Sequence, residues 1–183
     1  HFRPAQFYKE QHVRGKWVCD QCDTLTQQAM PAYVIDKGIA SPELLSHVLV
    51  SKYADHLPLY RQRLIYQRAG IELSRSTLSD WIGRCGVELE PLANALKEVV
   101  LQQRVIHADE TPVTIMRMGE NEKKPKKGYV WAYATTQYNP VQAVIYDFQD
   151  SRSGQHAEEF LNGWQGHLVC DDYSGYKARF KSG

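Results

Sequence analysis

Apolar residues in the middle of the chain recur every three or four positions, which is the spacing of one helix face. The first helix is predicted to begin at Pro42, directly after Ser41, whose side chain can cap it. Its apolar face is predicted to consist of Leu44, Leu45, Val48, Leu49 and Tyr53.

Two further helices are predicted on either side of a short turn. One spans residues 58–69 and is ended by Gly70, and the next begins after Ser74. Two compact helices joined by a glycine-containing turn are typical of a helix-turn-helix. A fourth helix is predicted over residues 91–103, with an apolar side made of Leu92, Leu96, Val99 and Val100.

Apolar and polar residues alternate after residue 104, which is the period of a strand with one buried face. A short helix over residues 153–163 is predicted before the last strand of this zone. The predicted strands are residues 105–116, 129–135, 143–148 and 167–171.

The first zone of the chain mixes aromatic and β-branched residues around the turn Cys19-Asp20-Gln21-Cys22. Phe7-Tyr8 and Trp17-Val18 predict two short strands before that turn. The chain is therefore predicted to be α/β, with a β segment at 1–40, a helical subdomain at 41–103 and a sheet domain at 104–183.

Composition narrows the class of protein only a little. With 43% hydrophobic residues among 183, the chain can build a core and does not have the composition of a disordered segment. No apolar run approaches the roughly 18 residues that span a bilayer, and four cysteines are too few for a disulfide scaffold, so a cytoplasmic protein is expected. The net charge of +1 neither indicates nor excludes a nucleic-acid partner.

Two acidic residues follow apolar stretches of two predicted strands. Asp109 lies in the strand predicted at 105–116, and Asp171 ends the strand predicted at 167–171, 62 positions later. If these strands are neighbours in one sheet, their carboxylates meet at its edge, where like charges repel unless a cation lies between them. Mg²⁺ takes oxygen ligands and keeps positions open for phosphate and water. Acids also stand at strand ends for solubility, so the pattern alone does not decide.

Strand alternation places Val105, His107 and Asp109 on one face. His107 could contact substrate or a neighbouring acid there. A hydrogen-bonded histidine in the core is the commoner case and is the expectation here.

Five motifs occur together along the chain: KYADHLPLYRQ at 52–62, SRSTLSDW at 74–81, HADETPV at 107–113, GYVWAY at 128–133 and DDYSGY at 171–176. In this order they resemble transposases of the insertion-sequence-66 family. The resemblance covers nearly the whole chain and rests on several independent motifs.

The resemblance implies a ribonuclease-H-like catalytic core with an Asp-Asp-Glu site that holds two Mg²⁺ or Mn²⁺ ions in the full-length enzyme. Asp109 matches the first acid and Asp171 the second. The family usually has glycine after the second acid, where this chain has Asp172, so either neighbouring carboxylate could be the ligand, and the alignment favours Asp171. The third acid is expected beyond Gly183, and the chain, as an internal fragment, is expected to be inactive by itself.

The resemblance also implies partners. DNA is expected, both as the terminal inverted repeats of the element and as the target, with no membrane partner and a homo-oligomeric full-length protein. The helix after Ser74 is predicted to expose Arg75, Ser76, Ser79 and Arg84, which could contact DNA. The alternative is a helical subdomain with solvated arginines. A lysine-rich loop at 119–128 is predicted to be a hairpin tip, although its lysines could also contact phosphate.

Cys19 and Cys22 have the two-residue spacing of a zinc knuckle, but a structural zinc site needs four ligands. Cys85 and Cys170 lie in other zones and are predicted to be buried, small apolar residues. The resemblance implies that a matching pair precedes His1, which makes Cys19 and Cys22 half of a Zn²⁺ ribbon. A plain turn and a redox dithiol are the alternatives.

Two other functions remain open from the sequence. One is a non-catalytic DNA-binding or regulatory remnant of a mobile element, in which the acids are inert. The other is a nuclease of the same fold, which would cut DNA without joining strands. The favoured interpretation is a transposase fragment.

Overall fold

The computed structural model describes residues 6–115 and 125–180, except for the side chains of residues 178–180. The chain divides into two compact units, His1–Leu89 and Glu90–Gly183, and each unit has an apolar core of its own. Within the described ranges, none of the helices combines the length and the apolar character needed to cross a bilayer. The predicted division at residues 40 and 103 stays a prediction.

The first unit begins with a hairpin of β1 (Lys16–Val18) and antiparallel β2 (Leu25–Gln27). The strand predicted at Trp17-Val18 is therefore confirmed, whereas the one predicted at Phe7-Tyr8 was wrong, since the second strand follows the turn. The chain reverses there because Cys19 N donates to Thr24 O at 3.0 Å and Asp23, with φ 54°, adopts a left-handed backbone. Phe7 lies in no strand, and its ring packs edge-on against Tyr66 at 5.3 Å.

Helix α1 (Pro42–Tyr53) begins as predicted, with the side chain of Ser41 accepting a hydrogen bond from Leu44 N at 3.4 Å. Its buried stripe runs through Leu45, Val48 and Ser51. Successive helix residues are about 100° apart, so Tyr53 lies on the far side of the helix from that stripe. Tyr53 is exposed, and its predicted place on the apolar face was wrong.

Helix α2 (Leu59–Arg68) and helix α3 (Arg75–Leu101) are joined by a turn in which Gly70 has φ 82°. Ser74 caps α3 as predicted, because its hydroxyl accepts a hydrogen bond from Thr77 N at 3.0 Å. The helices pack through a cluster of buried apolar residues. In α3 these are Leu78, Trp81 and Cys85.

The predicted third and fourth helices form one helix of 27 residues, with Pro91 inside it. Pro91 removes one backbone hydrogen bond, but neither Gly83 nor Gly86 takes the positive φ of a helix C-cap, so nothing ends the helix before the proline. Leu92 is exposed, contrary to its predicted place on an apolar side, whereas Val100 is fully buried.

The second unit contains a four-stranded sheet in the order β5-β4-β3-β6. Strands β3, β4 and β5 pair antiparallel, and β6 pairs parallel with β3, so the first and fourth predicted strands are neighbours. The strands are β3 (Val105–Ile115), β4 (Lys126–Thr135), β5 (Val144–Gln149) and β6 (His167–Val169).

Strand β4 begins earlier than predicted, so Lys126 and Lys127 lie in a strand and not in a hairpin tip. Lys126 forms an ion pair with Asp150. The rest of the predicted loop, with Lys123 and Lys124, lies outside the described residues.

Two helices follow strands of this sheet. Helix α4 (Gly154–Phe160) is shorter than predicted and is capped by Ser153, and helix α5 (Ser174–Phe180) was not predicted. One face of the sheet packs under α4, α5 and the end of α3, with Trp131, Tyr133 and Phe160 in the core. On the other face Tyr146 and Phe148 are 66% and 56% exposed, so that face is open in the part of the chain that the structure describes.

Candidate metal centre

The parallel pairing of β3 with β6 brings the two predicted acids to corresponding positions. Val105 pairs with His167 and His107 with Val169, an offset of 62 residues that is also the separation of Asp109 and Asp171. Both aspartates are exposed, whereas Ile106, Ala108 and partly buried Cys170 pack into the core. Strand alternation therefore places the Asp109 carboxylate on the open face of the sheet, and Asp171 is exposed two residues after the end of β6.

Each aspartate is oriented by one local hydrogen bond. Asp109 Oδ1 accepts from Glu110 N at 2.9 Å, and Asp171 Oδ1 accepts from Tyr173 N at 3.0 Å. The Oδ2 atoms accept no hydrogen bond from the residues that the structure describes. Each carboxylate thus keeps an oxygen that could coordinate a cation.

Negative charge concentrates around the end of β6. The pKa of the Cys170 thiol is raised by burial first, and then by the charges of Asp171, Glu110 and Asp172. Asp172 itself forms an ion pair with Lys177 at 2.8 Å, which lowers the pKa of its carboxyl. Asp172 is therefore already compensated by a cation of the chain.

His107 lies on the open face and is exposed, so the expectation of a core histidine was wrong. The reason is the alternation of β3, in which Ile106 and Ala108 are the residues that enter the core. His107 pairs with Val169 on β6, one alternation before the acids.

A buried acid next to Asp109 was missed by the sequence interpretation. Only 1% of the Glu110 side chain is exposed, and its Oε1 accepts a hydrogen bond from Arg152 Nε at 2.9 Å. Its Oε2 accepts one from the Tyr176 hydroxyl, also at 2.9 Å. Arg152 stacks at 3.8 Å over the ring of Tyr173. Glu110, Arg152, Tyr173 and Tyr176 are called the Glu110 cluster below.

The Glu110 cluster changes the protonation chemistry of its members. Hydrogen bonding to Glu110 is the main cause that raises the pKa of Arg152. Burial, followed by the hydrogen bond to Glu110, raises the pKa of Tyr176 far above its ordinary value. A signal for the cluster was present in the sequence, since alternation gives Glu110 the same face as Ile106 and Ala108, where a carboxylate needs partners.

Cys19 and Cys22 lie at the turn of the β1–β2 hairpin and are exposed. Hydrogen bonds from the hydroxyl and backbone of Thr24 lower the pKa of the Cys22 thiol, and a hydrogen bond with Cys19 adds to the effect. Cys85 is buried as predicted and Cys170 is partly buried.

The four residues predicted to contact DNA are exposed on α3. Arg84 donates to Asp80 at 3.0 Å, one helical turn earlier, so its charge is partly neutralised. The hydroxyl of Ser76 lies 2.7 Å from that of Ser74. Of the two arginines, Arg75 has no ion pair with the residues that the structure describes, whereas Arg84 has one.

Within residues 6–115 and 125–180, no three side chains of histidine, cysteine, aspartate or glutamate converge as a metal site would require.

The chain belongs to the Transposase IS66 family, whose sequence model matches residues 37–183. This confirms the resemblance drawn from its motifs. Three relatives from Sinorhizobium fredii (strain NBRC 101917 / NGR234) carry the names Uncharacterized protein y4qI, y4jD and y4hP.

The relatives are similar to nearly all of this chain but are much longer. The first is 39% identical over 178 residues, which covers 93% of this chain and 33% of the relative. The second is 36% identical over 95% of this chain and 35% of the relative, and the third is 30% identical over 95% and 32%. The chain thus spans about a third of the length of the curated relatives it matches.

Proposed function

We propose that the chain is the part of a DNA transposase that contributes Asp109 and Asp171 to a site for phosphodiester cleavage and strand transfer. Family membership supports the reaction class. The observation that carries the site is the parallel β3–β6 register, whose offset of 62 residues equals the separation of the two acids. Three antiparallel strands with a parallel fourth beside the first also agree with a ribonuclease-H-like core.

The two aspartates fit a hard divalent cation. Their carboxylates are oxygen donors, one on β3 and one just after the neighbouring β6, and each leaves an oxygen without a hydrogen bond from the described residues. When bound, Mg²⁺ or Mn²⁺ supplies activation of water, and later of a DNA 3′-hydroxyl, and stabilises the leaving oxygen. The residues of this chain hold and orient the carboxylates, and the third acid of the full-length protein is proposed to come from outside residues 1–183.

Asp171, and not Asp172, is the proposed second ligand. Extending the β3–β6 offset of 62 residues matches Asp171 to Asp109, whereas Asp172 forms an ion pair with Lys177 at 2.8 Å that already compensates its charge. A carboxylate with its own cation gains less from a metal ion than one without.

DNA is the proposed partner of the first unit. The exposed α3 residues Arg75, Ser76, Ser79 and Arg84 offer a basic and hydroxylic surface suited to phosphates. In the full-length protein, Arg75→Ala should reduce the salt dependence of binding to element-end DNA by about one counterion, because each phosphate contact contributes about one. Arg84→Ala should have a smaller effect because of Asp80. Equal salt slopes for wild type and Arg75→Ala would contradict this interface.

The catalytic proposal is tested by strand transfer with the full-length protein and DNA carrying the element ends. Asp109→Asn and Asp171→Asn should each lower the rate by about a thousandfold, since a metal ligand contributes several kcal/mol to the transition state. Asp150→Asn, an exposed carboxylate paired with Lys126, is the matched control and should leave the rate unchanged. Full activity in either aspartate variant would reject the site, and cleavage without joining would indicate a nuclease.

A further inference from the structure

We propose that the Glu110 cluster positions Asp171 against Asp109, so that Tyr173 and Arg152 are positioning residues for the metal centre. This rests on the proposed function, because it concerns the same carboxylate pair. It adds a role for residues to which neither the motifs nor the family match gives one. The argument follows hydrogen bonds and stacking contacts from one aspartate to the other.

The first step is the anchoring of Glu110. Its carboxylate is inside the core and joins three elements that are distant in sequence: β3, the segment after β5 through Arg152, and α5 through Tyr176. Both carboxylate oxygens are engaged, so the backbone of Glu110 is held in place. That backbone also donates to Asp109 Oδ1 at 2.9 Å, which links the cluster to the first acid.

The second step leads from Arg152 to Tyr173. The guanidinium stacks on the Tyr173 ring at 3.8 Å, and the Tyr173 hydroxyl donates back to the Arg152 carbonyl oxygen. Tyr173 is thereby held both by the face of its ring and by its hydroxyl. The rings of Trp131 and Tyr176 pack against it at 6.4 and 6.0 Å and close the core side.

The third step leads from Tyr173 to the second acid. Its backbone N–H donates to Asp171 Oδ1 at 3.0 Å, which fixes the direction of that carboxylate. The pairing of β6 with β3 ends at Val169, so the position of Asp171 depends on this turn more than on the sheet. The cluster therefore connects the two acids through side chains that meet in the core, beneath the open face.

The cluster is suited to positioning because its charged side chains neutralise each other. Glu110 and Arg152 form an ion pair, so the cluster does not compete for a cation bound by Asp109 and Asp171. Residues that orient metal ligands in this way typically change metal affinity by about 10–100-fold when they are altered.

The test is a titration of the 183-residue chain with Mn²⁺. Binding is measured as the paramagnetic broadening of backbone amide signals in NMR spectra, which detects millimolar binding. In the wild type, the amides of Glu110 and Asp172 should broaden with one midpoint. Tyr173→Phe keeps the ring but removes the bond to Arg152, and Arg152→Lys keeps the charge but removes the stack. Both should raise the Mn²⁺ midpoint by about tenfold with a native spectrum otherwise.

Tyr138→Phe, in which an exposed tyrosine loses its hydroxyl, is the matched control and should keep the wild-type midpoint. If Mn²⁺ broadens the wild type and both cluster variants alike, the positioning role is rejected while the metal site stands. If Mn²⁺ broadens neither amide in the wild type, or if Asp109→Asn broadens like the wild type, the metal site is rejected and the positioning role with it.

Discussion

The two candidate metal sites of this chain are built in opposite ways. Cys19 and Cys22 are three positions apart on a hairpin whose strand residues are all exposed, including Trp17. Asp109 and Asp171 are 62 positions apart, the first on β3 and the second two residues after β6, and both strands belong to a sheet that covers a buried core. The residues of the first site are close in sequence and have little packing around them, whereas those of the second are distant in sequence and lie over a packed core.

The difference teaches where the precision of a site comes from. In the part of the chain that the structure describes, the cysteine pair is held by hydrogen bonds within its own turn, those of Cys19, Asp23 and Thr24. Asp109 is held by the sheet, and the carboxylates of both aspartates accept hydrogen bonds from backbone N–H groups of the Glu110 cluster. A site keeps its geometry when the groups around its ligands are themselves fixed by packing.

The largest expected effect on stability comes from removing the buried carboxylate next to the aspartate pair. Glu110→Ala should lower the free energy of unfolding of the second unit by about 2–3 kcal/mol, because it opens a cavity and leaves the Tyr176 hydroxyl without its acceptor. The loss is smaller than for a fully buried ion pair, since Arg152 is 44% exposed and can rehydrate. Urea denaturation followed by tryptophan fluorescence measures it.

The control for Glu110→Ala is Asp150→Ala, which removes an exposed ion pair with Lys126 and should leave the stability almost unchanged. Cys19→Ser in the hairpin should behave like this control. If Glu110→Ala lowered the free energy of unfolding no more than these two variants, the surroundings of the aspartate pair would be no more fixed by packing than those of the cysteine pair.

Local features of both sites could be predicted from the sequence. The cap at Ser41, the stop at Gly70 and the strands around Asp109 follow from spacing and residue type, which act within a few positions. The cysteine turn was found for the same reason. One of the two strands beside it was misplaced, because the pairing of β1 with β2 depends on the chain reversal between them.

Features that depend on distant contacts could not be predicted. The strand pattern gave Asp109 and Asp171, but only packing decides that β6 pairs beside β3 and in parallel. The burial of Glu110 was missed although alternation indicates it, and nothing local indicates Arg152 or Tyr176 as its partners, 42 and 66 positions away. Helix α5 is only seven residues long and escaped notice for the same reason, since such a short helix depends on its contacts.

A smaller effect is expected from pH, through Tyr176. Burial and Glu110 raise the pKa of Tyr176 in the folded chain, whereas the unfolded chain releases its proton near pH 10. The stability contributed by neutral Tyr176 is therefore complete below about pH 10 and is lost above it, by about 1.4 kcal/mol per pH unit. Urea denaturation at several pH values between 8 and 11 follows this loss.

The matched variant is Tyr176→Phe, which has no proton to lose at this position. It should be less stable than the wild type at pH 8 by about 1–2 kcal/mol, because a hydrogen bond to a buried carboxylate is missing. The two stabilities should converge as the pH rises above 10. A constant difference would show that Tyr176 ionises equally in both states, and Tyr138→Phe should follow the wild type throughout.

The smallest expected effect concerns the cysteine pair. Iodoacetamide should modify Cys22 first, because it is exposed and Thr24 lowers its pKa, and Cys85 last, because burial shields it and raises its pKa. Equimolar Zn²⁺ should slow the modification of Cys19 and Cys22 only a few-fold, since two thiolates are half of a structural site. Mass spectrometry of the digested protein measures each rate. Complete protection by Zn²⁺ would mean that further ligands are present, and the hairpin would then be as well supported as the aspartate pair.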